Sequence, residues 1–192
     1  MAKILLEDFI SPLGSVAVAF SGGVDSSVVA SVSMQVLGKN AVAVTVDTGT
    51  IAGEELKHAK KMAAEIGIEH VLVKAVMPGA FFENRPDRCY VCKKEIIGIL
   101  RDVAGERTLE NVIDGTNADD LHSDRPGLKA LNEEGVISPL ARCGIGKGQV
   151  REIAKSLGLS NWNRQSKSCL ATMVPFGMRI TKRTLISHGS LH

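Results

Sequence analysis

Residues 21–27 read Ser-Gly-Gly-Val-Asp-Ser-Ser and lie between an apolar run, Val16–Phe20, and an apolar helical pattern, Ser26–Leu37. Two glycines let the backbone approach a ligand closely, and the first turn of a helix has N–H groups without intrahelical partners. A buried strand that breaks into such a loop and then opens a helix is a ready anion site. The alternative is a Gly-Gly turn with an ordinary helix cap.

The rest of the chain alternates valine-rich apolar runs with helical periodicity up to about residue 160. Continuous apolar strands separated by helices are typical of a parallel sheet covered on both faces. We therefore predict an α/β fold, a three-layer doubly wound parallel sheet. The predicted strands are Val16–Phe20, Ala41–Val46, His70–Ala75, Asn111–Asp114 and a short one at Val136–Ile137. The predicted helices are Ser26–Leu37, Glu54–Ile66, Lys93–Val103, Leu128–Glu134 and Gln149–Leu157.

Polar residues follow three of these strands directly, at Ser21, at Asp47 and at Asp114–Asn117. Ligands of open parallel sheets bind beyond the carboxyl ends of the strands. The sequence therefore predicts that three loops converge on one crevice.

Composition limits the classes of function. The 192 residues carry a formal net charge of +2 with acids and bases interspersed, and only 4% are aromatic, so nucleic acid is not an expected partner. Residues 1–10 do not resemble a signal peptide, and no apolar run is long enough to span a bilayer, so we expect a cytoplasmic protein with four reduced cysteines. Residues 1–160 are interpreted as one domain and residues 161–192 as a loop-rich tail.

The loop at Ser21 resembles the SGGxDS loop of the N-type ATP pyrophosphatases, the PP-loop family. Further motifs narrow the resemblance to LarE-like ATP-dependent sacrificial sulfur transferases, which serve nickel-pincer cofactor synthesis. These motifs are Asn84-Arg-Pro-Asp-Arg-Cys-Tyr-Val-Cys-Lys93, Asp114-Gly-Thr-Asn-Ala-Asp-Asp120, Arg125-Pro-Gly127, Ser138-Pro-Leu140 and Trp162 followed by Ser168-Cys-Leu-Ala171. The resemblance covers roughly residues 3–181.

The resemblance implies an adenine nucleotide alpha hydrolase-like fold of the HUP type, ATP and Mg²⁺ as cofactors, and release of pyrophosphate as a carboxylate is adenylylated. The substrate would be a small-molecule carboxylate on a pyridinium mononucleotide, and the enzyme a homo-oligomer. Asp25 is the expected Mg²⁺ ligand. Asp119 is either a contact to Mg²⁺ or ribose or a cap of the helix that follows it. The implied ATP contacts are Ser21, Gly22, Gly23, Asp25, Ser26, Ser27, Val46, Asp47, Gly115, Thr116 and Asn117.

By the same resemblance, Cys169 attacks the activated acyl group and gives up its own sulfur, becoming dehydroalanine. Only the thiolate is a good nucleophile, so nearby cations are expected to favour it, with Arg164, Lys167 and Arg179 as candidates. A buried, purely structural cysteine is the alternative. Candidate substrate contacts are Arg125, for which a surface turn is the alternative, Trp162, for which packing under the loop is the alternative, and Arg179.

The pair Cys89-x-x-Cys92 has three interpretations: a zinc or iron–sulfur site, a redox pair, or a structural pair at the start of a helix. Some members of the resembled family hold a [4Fe–4S] cluster on three cysteines, which keeps the iron–sulfur interpretation open. Cys143 and Cys169 do not form a second close pair.

The chain departs from the resembled pattern in two respects. It has Thr172-Met173 where family members carry a Ser-Arg pair, and the usual C-terminal domain is expected to be absent. Two other PP-loop activities therefore stay open: an amide-forming ligase that uses ammonia, like NAD or GMP synthetase, and a tRNA-thiolating enzyme. A nucleotide-binding module without chemistry is the non-enzymatic alternative.

Overall fold

A four-stranded parallel sheet organises the chain in the computed structural model, which describes residues 1–122 and 126–189. The spatial order of the strands is β3-β2-β1-β4. An isolated parallel bridge between Ile113 and Ile137 continues the sheet beyond β4, where a short strand was predicted. The strands are Val16–Ala19 (β1), Ala41–Asp47 (β2), Glu69–Lys74 (β3) and Asn111–Ile113 (β4).

Helices cover both faces of the sheet. The helices of the described residues are Ala2–Ile10 (α1), Val24–Leu37 (α2), Gly53–Ile66 (α3), Gly79–Phe82 (α4), Arg88–Glu106 (α5), Pro126–Glu133 (α6), Pro139–Arg142 (α7), Lys147–Ser156 (α8) and Lys182–Gly189 (α9). Short 3-10 turns lie at Ser11–Leu13, Gly38–Asn40, Ala118–His122 and Leu170–Met173.

Alternate residues of β1 reach opposite layers of the core. Val16 and Val18 pack in a cluster with residues of α1, α2, α3 and α8, whereas Ala17 packs in a second cluster with residues of α5. Successive side chains of a strand point to opposite faces, so continuous apolar strands bury both faces at once. The predicted three-layer α/β fold is confirmed.

The predicted and observed elements differ at the edges. Helix α5 begins at Arg88 instead of Lys93, so Cys89 and Cys92 lie in its first two turns. The polar residues there hid the helical pattern, because only apolar periodicity marked this helix in the sequence. Helices α1, α4, α7 and α9 were not predicted. Helix α1 is held by Leu6 and Ile10, both fully buried and four residues apart on one helix face.

The tail is packed against the domain. Asn84, which is fully buried with φ +56°, donates hydrogen bonds from its amide group to the carbonyl oxygens of Val174, Pro175 and Met178 at 3.3, 2.8 and 2.9 Å. Asparagine tolerates this left-handed backbone better than most residues. A small apolar cluster then joins α4 to the tail through Phe81 and Ile180. This anchoring holds residues 161–180 against the sheet domain.

Within the described part of the chain, no helix is long and apolar enough to cross a membrane.

Candidate active site

A cleft of about 450 Å³ opens at the carboxyl edge of the sheet, a size typical of sites for small molecules. The loops after β1, β2 and β4 all reach it, as the sequence predicted. A further segment, residues 164–169, completes the wall. Lining residues that bear on the chemistry are Ser21, Gly23, Asp25, Ser26, Val46, Glu55, Lys93, Gly115, Thr116, Asp120, Arg164, Lys167 and Cys169.

Hydroxyl groups hold the loop after β1 and the first turn of α2, residues 21–27, in a tight bend. The Ser26 hydroxyl donates to the Gly23 carbonyl oxygen at 3.1 Å and accepts from the Ser21 backbone N–H at 3.3 Å. The Ser21 hydroxyl accepts from the Gly23 backbone N–H at 3.3 Å. Gly23 is the N-cap of α2, so the loop leads directly into the positive end of a helix. Amides, hydroxyls and a helix N-terminus thus converge as an anion-binding loop requires.

Two glycines allow this bend to be enclosed. A Cβ atom on Gly22, whose φ is +73°, would lie 2.7 Å from the Ala59 Cα atom of α3. A Cβ atom on Gly115 would lie 2.8 Å from the Ser26 backbone nitrogen. The loop is therefore pressed between α3 and the loop after β4, and glycine is required on both sides.

Asp25 is an acidic group of the cleft and lies in the first turn of α2. Burial raises the pKa of this carboxyl, the repulsion of Asp120 adds to that effect, and Lys147 acts in the opposite direction. A cation held between Asp25 and a polyphosphate would offset both the burial of the Asp25 charge and its repulsion by Asp120. The residues therefore fit Mg²⁺ bound largely by phosphate oxygens. Among the described residues, no three His, Cys, Asp or Glu side chains are grouped to hold a metal by themselves.

Asp119 is engaged elsewhere. Its carboxylate accepts a hydrogen bond from the Lys147 backbone N–H at 2.7 Å, at the start of α8. The cap considered from the sequence was on the next helix in the chain, whereas the observed contact is with the later helix α8. Asp119 is also not among the residues that line the cleft, whereas Asp120 is.

The raised pKa of Asp25 makes Asp25→Asn a test of the site. In the unfolded chain the carboxyl titrates in its usual range, so between that range and the raised folded value only the folded state holds the proton. The protonated Asp25 carboxyl therefore makes its full contribution to stability below the pKa of the unfolded state. That contribution is lost as pH rises through the pKa of the folded state. Asp25→Asn should melt at a higher temperature than the native chain at pH 7, with the gain disappearing near pH 4, about the usual aspartate pKa.

The same variant should bind Mg–ATP about tenfold more weakly or worse, the factor that about 1.4 kcal/mol represents. Thermal unfolding at both pH values and titration with Mg–ATP give the two readouts. Asp102→Asn is the control, because Asp102 is exposed on α5. Equal melting of Asp25→Asn and the native chain at pH 7 would contradict the burial argument.

Several predicted ATP contacts shape the cleft from behind its surface. Asn117 is fully buried, and its side-chain oxygen accepts from the backbone N–H groups of Asp119 and Asp120. Asp47 accepts from the Gly49 N–H at 2.8 Å. Ser27 is fully buried beneath the loop. Gly22, Ser27, Asp47 and Asn117 are not among the lining residues, whereas Ser21, Gly23, Asp25, Ser26, Val46, Gly115 and Thr116 are.

Asn161 is a site residue that sequence reasoning missed. It is 3% exposed, and its amide group donates to the Gly22 carbonyl oxygen and to the Ser27 hydroxyl, both at 2.9 Å. It therefore ties the first residue of the tail to the loop after β1 and to the first turn of α2. A lone asparagine in a polar stretch gives no local signal of such a role.

Replacing Asn161 with alanine should loosen this tie. The Ser27 hydroxyl and the Gly22 carbonyl would lose a buried partner, at a cost of about 1–3 kcal/mol in the free energy of unfolding. Denaturant titration measures the loss, and Asn163→Ala supplies the control because Asn163 is exposed in the same segment. The role assigned to Asn161 fails if both variants unfold like the native chain.

Cys169 lies in the same cleft and is exposed. Its sulfur atom is 3.0 Å from the hydroxyl oxygen of Thr50, a residue that sequence reasoning missed. Two of the three candidate cations are nearby: Arg164 and Lys167 line the cleft, and both pair with Glu55 at 2.6 and 3.3 Å. Glu55 was also missed, because its partners are more than a hundred residues away in the chain.

The predicted substrate contacts lie apart from this arrangement. Trp162 has its ring beneath the Lys155 ammonium group at 5.3 Å, and neither Trp162 nor Arg179 lines the cleft. The Arg179 carbonyl oxygen accepts from the Thr184 hydroxyl. Arg125 lies outside the described residues.

The other cysteines are free thiols. Burial raises the pKa of Cys92 to about 11, and the neighbouring Cys169 adds to the effect. Cys92 also packs against the apolar cluster that joins α4 to the tail. Both observations favour the structural interpretation of the pair formed by Cys89 and Cys92.

Known proteins resemble this chain in sequence and in fold. The asparagine synthase family model matches residues 13–103. An uncharacterized protein of Synechocystis sp. is 41% identical over 94% of this chain and 68% of its own length. Pyridinium-3,5-bisthiocarboxylic acid mononucleotide synthase of Lactiplantibacillus plantarum, a LarE protein, is 34% identical over 93% of this chain and 66% of its own length.

The chain belongs to the PP-loop ATP pyrophosphatase family, as a LarE-like member. A similar fold is seen in the NH3-dependent NAD synthetase from Campylobacter jejuni, which superposes with a TM-score of 0.66 at 19% identity over 83% of this chain and 73% of that one. PP-loop enzymes of this kind use ATP, typically with Mg²⁺. The chain spans about two thirds of the length of the two relatives named above.

Proposed function

We propose that this chain activates a substrate carboxylate with ATP and then transfers sulfur to it from Cys169. The observation that carries the proposal is the position of the Cys169 thiol, which opens into the same cleft as the phosphate-binding loop. An acyl adenylate formed at that loop would have its carbonyl carbon within the cleft that the sulfur faces. The name of the Lactiplantibacillus relative specifies a bisthiocarboxylic acid mononucleotide as product.

The first step would use the loop after β1. Ser21, Gly23 and Ser26 would hold the β- and γ-phosphates through amides, hydroxyls and the α2 N-terminus, while the carboxylate attacks the α-phosphorus and pyrophosphate leaves. Mg²⁺ held by Asp25 would neutralise charge on the leaving group when bound. Val46 and Thr116 would bound the nucleoside on either side. Positioning and charge neutralisation are the main contributions of the protein to this step.

The second step would use Cys169. Its thiolate attacks the acyl carbon, the C–S bond forms, and AMP departs with the bonding electrons of the C–O bond. A base then removes the Cα proton of Cys169, the Cα–Cβ double bond forms, and the Cβ–S bond breaks. The thiocarboxylate leaves and dehydroalanine remains, so no oxidant or reductant is needed.

The proposed substrate is a pyridinium mononucleotide that carries carboxylates, and the proposed assembly is a cytoplasmic homo-oligomer. In that compartment the four cysteines would be kept reduced. Cys89 and Cys92 have a structural role in this proposal.

Intact-mass spectrometry with a pyrophosphate assay tests the proposal. The purified chain is incubated with ATP, Mg²⁺ and a pyridinium mononucleotide carboxylate. Pyrophosphate release, together with loss of the mass of one hydrogen sulfide molecule localised to Cys169, is the expected result. Product formation with ammonia and an unchanged protein mass would favour an amide-forming ligase, and absence of pyrophosphate would favour a nucleotide-binding module.

A further inference from the structure

A short chain of hydroxyl groups ends at the sulfur of Cys169. The Thr48 and Thr50 hydroxyl oxygens are 2.8 Å apart, and the Thr50 hydroxyl oxygen is 3.0 Å from the Cys169 sulfur atom. Both threonines are buried, with exposed fractions of 7% and 1%. They lie on the connection between β2 and α3, which begins where β2 ends at the cleft.

Thr50 also contacts Cys169 and its neighbour through its backbone carbonyl group. The Thr50 carbonyl oxygen is 3.5 Å from the Cys169 sulfur atom and accepts the Leu170 backbone N–H at 3.0 Å. The backbone bond fixes where the sulfur lies relative to Thr50. Because that bond does not involve the Thr50 side chain, a change of side chain alone leaves this anchor in place.

The two contacts of Thr50 act on different protonation states of the sulfur. The carbonyl oxygen can accept a proton from a neutral thiol but repels a thiolate. The hydroxyl group has one proton, and when Thr48 donates to Thr50, that proton is free to point at the sulfur. A hydrogen bond to a charged acceptor is stronger than one to a neutral acceptor, and the hydroxyl contact is the shorter of the two.

We propose that Thr50 is a catalytic residue whose hydroxyl group stabilises the Cys169 thiolate, with Thr48 orienting it. The thiol proton leaves to water through the open cleft, and the thiolate keeps the Thr50 hydrogen bond until it attacks. Because Thr50 is almost completely buried, a water molecule cannot readily occupy the position of its hydroxyl group when that group is removed. The catalytic part of this inference rests on the proposed function of Cys169.

Thr50→Val tests the hydroxyl, since valine keeps the shape of the side chain and removes the hydroxyl group that contacts the sulfur and Thr48. The readout is the rate at which iodoacetamide alkylates Cys169 as pH is varied, followed by peptide mass spectrometry and requiring neither ATP nor substrate. Thr50→Val should be alkylated about tenfold more slowly than the native chain near pH 7, the effect of losing one hydrogen bond to a charged group. At high pH, where every Cys169 is a thiolate, the two rates should converge.

Two further variants separate this role from a structural one. Thr50→Ser keeps the donor and should restore the native profile. Thr172→Val removes a hydroxyl that contacts only the Cys169 carbonyl oxygen, at 2.6 Å, and should leave the profile unchanged. A rate that falls equally at all pH values, or a Thr50→Val profile identical to the native one, overturns the inference. If the native chain never loses sulfur, the proposed function fails, and the alkylation comparison still decides whether Thr50 stabilises the thiolate.

Discussion

Cys169→Ala should abolish sulfur transfer, by more than about a thousandfold, as the removal of a covalent nucleophile does in other enzymes. The protein mass should then stay constant through incubation with ATP and substrate. Pyrophosphate release should continue for at least one turnover, because the residues of the phosphate-binding loop are untouched. Alanine also removes the sulfur without adding a group that could hydrolyse the acyl adenylate.

The matched control is Cys143→Ala, which removes a thiol whose contact is the Leu5 carbonyl oxygen at 3.6 Å, away from the cleft. This variant should transfer sulfur like the native chain. Thiocarboxylate formation by Cys169→Ala would show that sulfur comes from another donor. Loss of pyrophosphate release in Cys169→Ala would show that the cysteine also serves adenylylation, contrary to the division of steps proposed above.

Gly22→Ala should prevent the phosphate-binding loop from closing on α3. Alanine at φ +73° costs about 1–2 kcal/mol in the free energy of unfolding through the left-handed backbone. Its Cβ atom would also lie 2.7 Å from the Ala59 Cα atom, and a backbone atom cannot swing aside as a flexible side chain can. Overpacking of this kind adds about 1–3 kcal/mol. ATP binding should weaken with it, because the loop must shift to relieve the contact.

Gly49→Ala separates the two effects. Gly49 has the same φ of +73°, and a Cβ atom there would meet nothing within 4 Å. This variant should lose only the backbone part of the stability and should bind ATP within about twofold of the native chain, a difference below about 0.5 kcal/mol. Denaturant unfolding and ATP titration of both variants make the comparison. Equal losses in the two variants would mean that the contact with α3 does not constrain the loop.

Local sequence patterns were enough to predict the fold. Alternating valine-rich strands and helices predicted the parallel sheet, and the strand ends were located to within two residues. The segments that escaped prediction are those whose helical state depends on what they touch, such as α1 through Leu6 and Ile10 or the polar start of α5. In these segments tertiary packing supplies the stability that propensity and apolar periodicity do not.

The residues of the site also fall into those that the local sequence reveals and those that depend on tertiary contacts. Residues 21–27 could be recognised because the strand, the glycines and the helix start are adjacent in the chain and act through the backbone. Asn161, Glu55 and Thr50 could not, because their partners are 139, 109 and 119 residues away. Resemblance marked Trp162 and Arg179 as substrate contacts, yet both lie outside the lining of the cleft.

By itself, the sequence determined that a parallel sheet presents a glycine- and serine-rich loop and a helix N-terminus at the end of its first strand, since that feature follows from backbone geometry over seven adjacent residues. Only the tertiary structure decided which side chains surround Cys169. The tail returns across the carboxyl edge of the sheet and places Cys169 against Thr50, and Arg164 against Glu55. Such contacts between distant segments depend on how the whole chain packs, and no local pattern encodes them.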